Sequence, residues 1–172
     1  MDYLKSRYGT AGIDAVAIAP YFGLTPDPAE AATYTAMSLD TFIAFVRSNI
    51  LPGPVAATTK YATVATAYGL HLLAYEGGQH MSGIRGAEGI AELNSLFYAF
   101  NRDARMKQLY LDYLASWKQG RGELFMHYQD VSKFNQWGSW GALEYVGQPR
   151  STAPKFDGIQ TFIEQNPVWW TQ

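Results

Sequence analysis

Three short, almost continuous apolar runs punctuate the chain, at 13–19 (Ile13 to Ala19), 70–75 (Leu70 to Tyr75) and 124–128 (Leu124 to Tyr128). Each is flanked by glycine or a polar cluster. Runs of this length, apolar on both alternating sides, predict strands buried on both faces, the habit of parallel sheets.

The intervals between them carry a helical period. Ser38 is placed to cap a segment whose Leu39, Phe42, Ile43, Val46 and Ile50 share one face, before the Pro52-Gly53 break. Pro54 suits a first helical position, and Tyr61, Ala62, Ala65 and Tyr68 follow at helical spacing until Gly69. The second interval predicts one helix through Ile90, Leu93 and Phe97, and another through Met106, Leu109, Tyr110, Tyr113, Leu114 and Trp117, with Asn101 as a cap between them. A last short helix aligns Phe156, Ile159 and Ile163 before Asn166-Pro167, and Asp2 to Tyr8 reads as the tail of a helix before Gly9. The expected order is α, then βα three times, in one domain spanning 1–172.

Parallel strands joined by helices are covered on both faces, so the fold class is α/β: a doubly wound sheet or part of a (β/α)8 barrel, here its last three βα units. Three strands close no barrel. A complete one takes about 250 residues, so the outer strands of such a portion would present bare edges, to be met by the missing N-terminal barrel half or by self-association.

In either architecture chemistry gathers beyond the C-terminal ends of the strands. Those ends read Pro20-Tyr21-Phe22-Gly23, Glu76-Gly77-Gly78-Gln79-His80 and His127-Tyr128-Gln129-Asp130. Glu76 is the sharpest candidate, because it leaves an apolar strand and two glycines behind it let the backbone turn and a ligand approach. A carboxylate so placed is held rigidly and partly desolvated, as a nucleophile or general acid/base requires. The bland alternative is a glutamate that caps the next loop. His80 and His127 with Glu76 or Asp130 suggest a metal, but their spacing matches no tight signature and no metal is expected. Gly77-Gly78 lacks the third glycine and the Lys-Ser/Thr of a phosphate loop, so no nucleotide cofactor is expected. Trp137 and Trp140 lie between glycines in a loop after the third strand, free either to stack on a ligand or to pack on the sheet end.

Composition sharpens this reading at one point. Twelve Tyr, nine Phe and five Trp stand against only 16% charged residues. Flat rings beside hydrogen-bonding groups suit the faces and edges of sugars, though a large aromatic core would leave the same excess. A net charge of −2 disfavours nucleic acid and anionic membranes, and no run of about eighteen apolar residues predicts a membrane span. The absence of cysteine excludes disulfides and thiolate metal sites.

The stretches Ile13-Asp14-Ala15-Val16-Ala17-Ile18-Ala19-Pro20-Tyr21 and Leu73-Ala74-Tyr75-Glu76-Gly77-Gly78-Gln79-His80, with the Trp-Gly pairs between His127 and Tyr145, resemble the C-terminal barrel portion of clan A retaining glycoside hydrolases, of the bacterial secreted, cellulase-like or cellulose-binding kind. The resemblance implies that Glu76 is the nucleophile at the end of the seventh strand and that Tyr21 orients it from the sixth. It implies that Trp137 or Trp140 floors a sugar subsite, with His80, His127 and Gln129 holding hydroxyls. It further implies a β-linked polysaccharide or oligosaccharide as substrate and an extracellular or periplasmic location. The departure is the clan's acid/base Glu of the fourth strand, for which Glu88, Glu92, Glu123 and Glu144 are no substitutes by position. The chain taken alone is therefore expected to be inactive or nearly so, and a non-catalytic carbohydrate-binding protein or an oligomeric interaction domain are the other expectations.

Overall fold

A computed structural model describes residues 2–9 and 12–170. Its centre is parallel. Strand β1 (Ala15–Ile18) pairs with β3 (His71–Ala74) in the register Ala15 to His71 through Ile18 to Ala74. Beyond β3 the chain at 123–126 lies alongside in the same direction: the Ala74 amide donates to the Leu124 carbonyl (2.9 Å) and the Met126 amide to the Ala74 carbonyl (3.0 Å). The three segments thus stand side by side in chain order.

The third is less regular than its apolar run predicts, with a single bridge, at Phe125. The Glu123 amide bonds the Leu72 carbonyl while the Met126 amide bonds that of Ala74, so three residues advance on one side against two on the other. That is a bulge, and it interrupts the ladder.

A second parallel pair continues past the strand ends: β2 (Phe22–Leu24) against β4 (Gln79–Met81). The runs 13–19 and 70–75 did not foretell it. Its requirement is visible at Gly23, where an added Cβ would stand 1.9 Å from the His80 carbonyl oxygen, so only glycine lets the two backbones close.

The helices follow the expected stripes, with local corrections. The opening helix α1 (Asp2–Tyr8) forms as expected. Helix α2 (Pro28–Thr35) is additional: Asp27 accepts from the amides of Ala29 (2.9 Å) and Glu30 (3.1 Å), and Glu30 accepts from the Asp27 amide (3.1 Å), a complete capping box. Ser38 caps α3 (Leu39–Phe45) as expected, and a π-helical turn at 46–50 carries the chain into α4 (Pro52–Tyr68). Pro52, not Pro54, is therefore the first helical residue. Gly69 ends α4 at φ 65°, a left-handed position that glycine takes without penalty. Asn101 does not cap anything; it sits inside α5 (Ala91–Arg102), buried, with its amide nitrogen on the Phe97 carbonyl (2.8 Å). The break comes two residues later, where Asp103 accepts from the Arg105 amide ahead of α6 (Met106–Gln119). Helix α7 (Pro154–Gln165) ends at Asn166, as expected.

Packing explains the aromatic excess in part. Phe42, Leu93, Phe97, Phe100, Met106, Leu109, Tyr110 and Tyr113 form one buried cluster, and Trp117 with Ala62, Ala65, Leu72 and Ala74 forms a second beneath β3. The Trp117 indole also donates to the Glu123 carbonyl (2.9 Å), tying α6 to the third segment. These contacts cover one face of the three segments. On the other face the alternate residues Ala17, Tyr75, Leu124, Met126 and Tyr128 are exposed. The architecture is therefore α/β, and among the described residues the short parallel strands form two small sheets that do not close on themselves.

Candidate functional site

The turns that leave β1, β3 and the third segment converge at one end, carrying the residues singled out by sequence. Glu76 lies two residues beyond β3. Its partial burial and the two buried glycines after it fit the expected tight turn. Gly77 is required by packing, since a Cβ there would lie 2.5 Å from the Phe125 ring.

Tyr21, from the turn between β1 and β2, is Glu76's neighbour. Burial raises the Tyr21 phenol above its ordinary value, and the charge of the Glu76 carboxylate raises it further, with Tyr128 and Tyr75 contributing. Tyr21 therefore stays neutral beside Glu76. Its ring also meets His80 edge-on, with centroids 5.6 Å apart.

His80, on β4, links this pair to the tryptophan loop. The Trp140 indole N–H donates to His80 Nδ1 (3.2 Å), and the Tyr128 ring stands edge-on to Trp140 at 6.1 Å. Burial lowers the His80 pKa, with the Glu76 charge opposing it, so the imidazole is neutral in the ordinary range. Tyr21, Tyr75, Glu76, His80, Tyr128 and Trp140 form one group. Tyr75 and Tyr128 were not singled out as ligand contacts from sequence, although the alternation in 124–128 points Tyr128 to the same side as the exposed Leu124 and Met126.

The two tryptophans differ. Trp137 is 59% exposed, so its ring is open to a ligand. Trp140 is half-buried, its N–H is occupied by His80, and its six-membered ring lies over Gly138, where a Cβ would come within 2.4 Å. The loop that carries them is pinned from below. The Ser139 carbonyl accepts from Gln79 Nε2 (2.6 Å) and from Lys155 Nζ, and the Ser82 hydroxyl donates to the Trp137 carbonyl (2.8 Å). Lys155 is 1% exposed, and burial lowers its pKa well below the usual lysine value.

His127 is turned away from this group. His127 turns toward the helices: its Nε2 is 3.0 Å from the Tyr110 hydroxyl, which itself accepts from the Gln79 amide (3.1 Å). Burial first, then the positive charge of Lys155, lowers the His127 pKa to about 3, and Glu76 is not among its influences. His127 is thus a neutral support for the Gly77–Gln79 turn. The Gln129 backbone ties this strand end to the tryptophan loop, accepting from the Ala142 amide (2.8 Å) and donating to the Trp140 carbonyl (3.3 Å).

The remaining carboxylates named from sequence are engaged elsewhere. Glu123 pairs with His71 (2.8 Å) at the opposite end of β3, Glu144 holds Arg102 (2.5 Å), and Glu88 accepts from the Gly86 amide (2.8 Å). Glu92 lies in the first turn of α5. Among the described residues no group of three or more His, Asp or Glu is disposed to hold a metal ion, and no helix is long and apolar enough to cross a membrane. Compared with protein-family models, curated proteins and solved structures, the chain finds no match.

Proposed function

We propose that this chain provides the nucleophile-bearing, C-terminal strands of an exported (β/α)8-barrel retaining glycoside hydrolase acting on a β-linked polysaccharide or oligosaccharide. The observation that carries the reading is the gathering of Glu76 and Tyr21 at neighbouring parallel strand ends, beside the chain of contacts Tyr21–His80–Trp140–Tyr128. In the reaction one Glu76 carboxylate oxygen bonds the anomeric carbon as the glycosidic C–O bond breaks. Tyr21 holds the carboxylate and Trp137 offers its open face to a pyranose.

Retention needs a second carboxyl group about 5 to 5.5 Å from the first. Among the described residues Glu76 is the one carboxylate whose charge reaches Tyr21 and His80. In this proposal the acid/base Glu comes from barrel units that would cover the exposed face of Leu124, Met126 and Tyr128. The same observation favours a second reading, a carbohydrate-binding protein without turnover.

An activated substrate separates the two, because a dinitrophenolate leaves without protonation and makes the missing acid unnecessary. The chain is incubated with 2,4-dinitrophenyl 2-deoxy-2-fluoro-β-cellobioside and its intact mass is followed. One added fluoroglycosyl group, mapped to the Glu76 peptide and abolished in Glu76→Gln, supports the nucleophile. No label with retained affinity for cellotetraose leaves sugar binding without catalysis. Neither label nor affinity overturns both.

A further inference from the structure

The contact between the Trp140 indole and His80 fixes more than a ring position. An indole nitrogen only donates, so His80 Nδ1 must present its lone pair at 3.2 Å. In the neutral imidazole the proton then resides on Nε2. We propose that Trp140 is a positioning residue that locks His80 in its Nε2–H tautomer, making His80 an obligate hydrogen-bond donor to an acceptor oxygen of the ligand at the Glu76 rim. The ligand class, a sugar hydroxyl or ring oxygen, rests on the hydrolase reading above; the tautomer does not.

Three further observations carry it. The indole cannot easily turn away, because its ring lies over Gly138 and its own backbone carbonyl accepts from the Gln129 amide. The preceding residue is anchored twice, since Ser139 offers its carbonyl to both Gln79 and the buried Lys155. The groups that face His80 leave Nδ1 no other partner among its described hydrogen bonds: Tyr21 meets it ring to ring, Glu76 acts on it through its charge, and Trp140 alone bonds it. A protonated His80 would turn Nδ1–H against the indole N–H, two donors face to face. Protonation therefore breaks the contact, and the neutral donor form is the one the loop is built to hold.

The test reads the tautomer directly. In 15N-labelled chain at neutral pH, the long-range 1H–15N spectrum of His80 is expected to show an unprotonated Nδ1 and a protonated Nε2. Trp140→Phe, which keeps a ring and removes the N–H, is expected to give a mixture of tautomers and a higher His80 pKa. Affinity for cellotetraose, by calorimetry, is expected to fall about five-fold in that variant, the worth of one hydrogen bond. An Nδ1–H tautomer in the wild-type chain, or a spectrum unchanged by Trp140→Phe, overturns the inference whatever the sugar does. The expected tautomer with no affinity for cellotetraose upholds the lock and removes the sugar reading instead.

Discussion

The two faces of the parallel segments differ in a way that alternation along one strand makes plain. Toward the helices, Leu72 and Ala74 are fully buried and Phe125 and His127 pack against α6 and its neighbours. On the opposite side Tyr75, Leu124, Met126 and Tyr128 are each at least 40% exposed. Both faces are apolar, so burial on one side was not chosen by composition; it was decided by where helices exist to cover it. The bare apolar face lies on the side of the strands that carries Tyr75, beside the Glu76 turn.

That contrast is open to measurement, and the largest effect belongs to the covered face. Trp117→Ala removes a fully buried indole and its bond to the Glu123 carbonyl, and is expected to cost about 3 to 5 kcal/mol in urea denaturation. A loss under 1 kcal/mol would mean that this side is not the core.

The next effect is a dependence on pH. His127 has a folded pKa lowered to about 3 from an ordinary 6.5, so between those values the unfolded chain binds a proton that the folded chain refuses. Its contribution is whole above pH 6.5 and is lost as the pH falls toward 3, on the order of 3 kcal/mol between pH 7 and 4. In His127→Phe the decline in the urea midpoint over that interval is expected to be shallower by a comparable amount. Equal slopes would mean that His127 reaches water.

The smallest effect belongs to the bare face. Leu124→Thr and Met126→Thr change residues 41% and 53% exposed, and each is expected to shift the stability of the isolated chain by about 0.5 kcal/mol or less. A loss above 2 kcal/mol, or a concentration-dependent midpoint in the wild-type chain that these changes abolish, would show that the face is covered by a second copy in solution.

Local signals carried much of this. The apolar runs located three parallel segments because a strand buried among neighbours leaves no polar position to break the run. Ser38, Gly69 and Asn166 marked helix ends because capping and left-handed backbone are chemistry of single residues. Asp27 and Glu30 carried an equally local signal for α2, a complete capping box that the apolar periods did not draw attention to. The β2 and β4 pair was not legible, because three residues have no period and their pairing depends on the distant approach of Gly23 to His80.

Site residues divide the same way. Glu76 and Tyr21 stand just past strands that the apolar runs had located, because the end of a strand is fixed by the strand itself. His80 and Trp140 were each named from the sequence, but the bond between them, across sixty positions, was not. His127 sits at the right strand end and was expected to meet a ligand; the alternation of 124–128 already assigned it the side of Phe125.

The sequence by itself determined that this chain is α/β, that its strands are parallel, and that one carboxylate leaves a strand between an apolar run and two glycines, since each follows from neighbours a few positions apart. Only the tertiary structure decided which face of the strands is covered, that His127 supports from behind while His80 faces the rim, and that Trp140 donates to His80. Those facts depend on segments far apart in the chain meeting at a few ångströms, and no local pattern carries that distance.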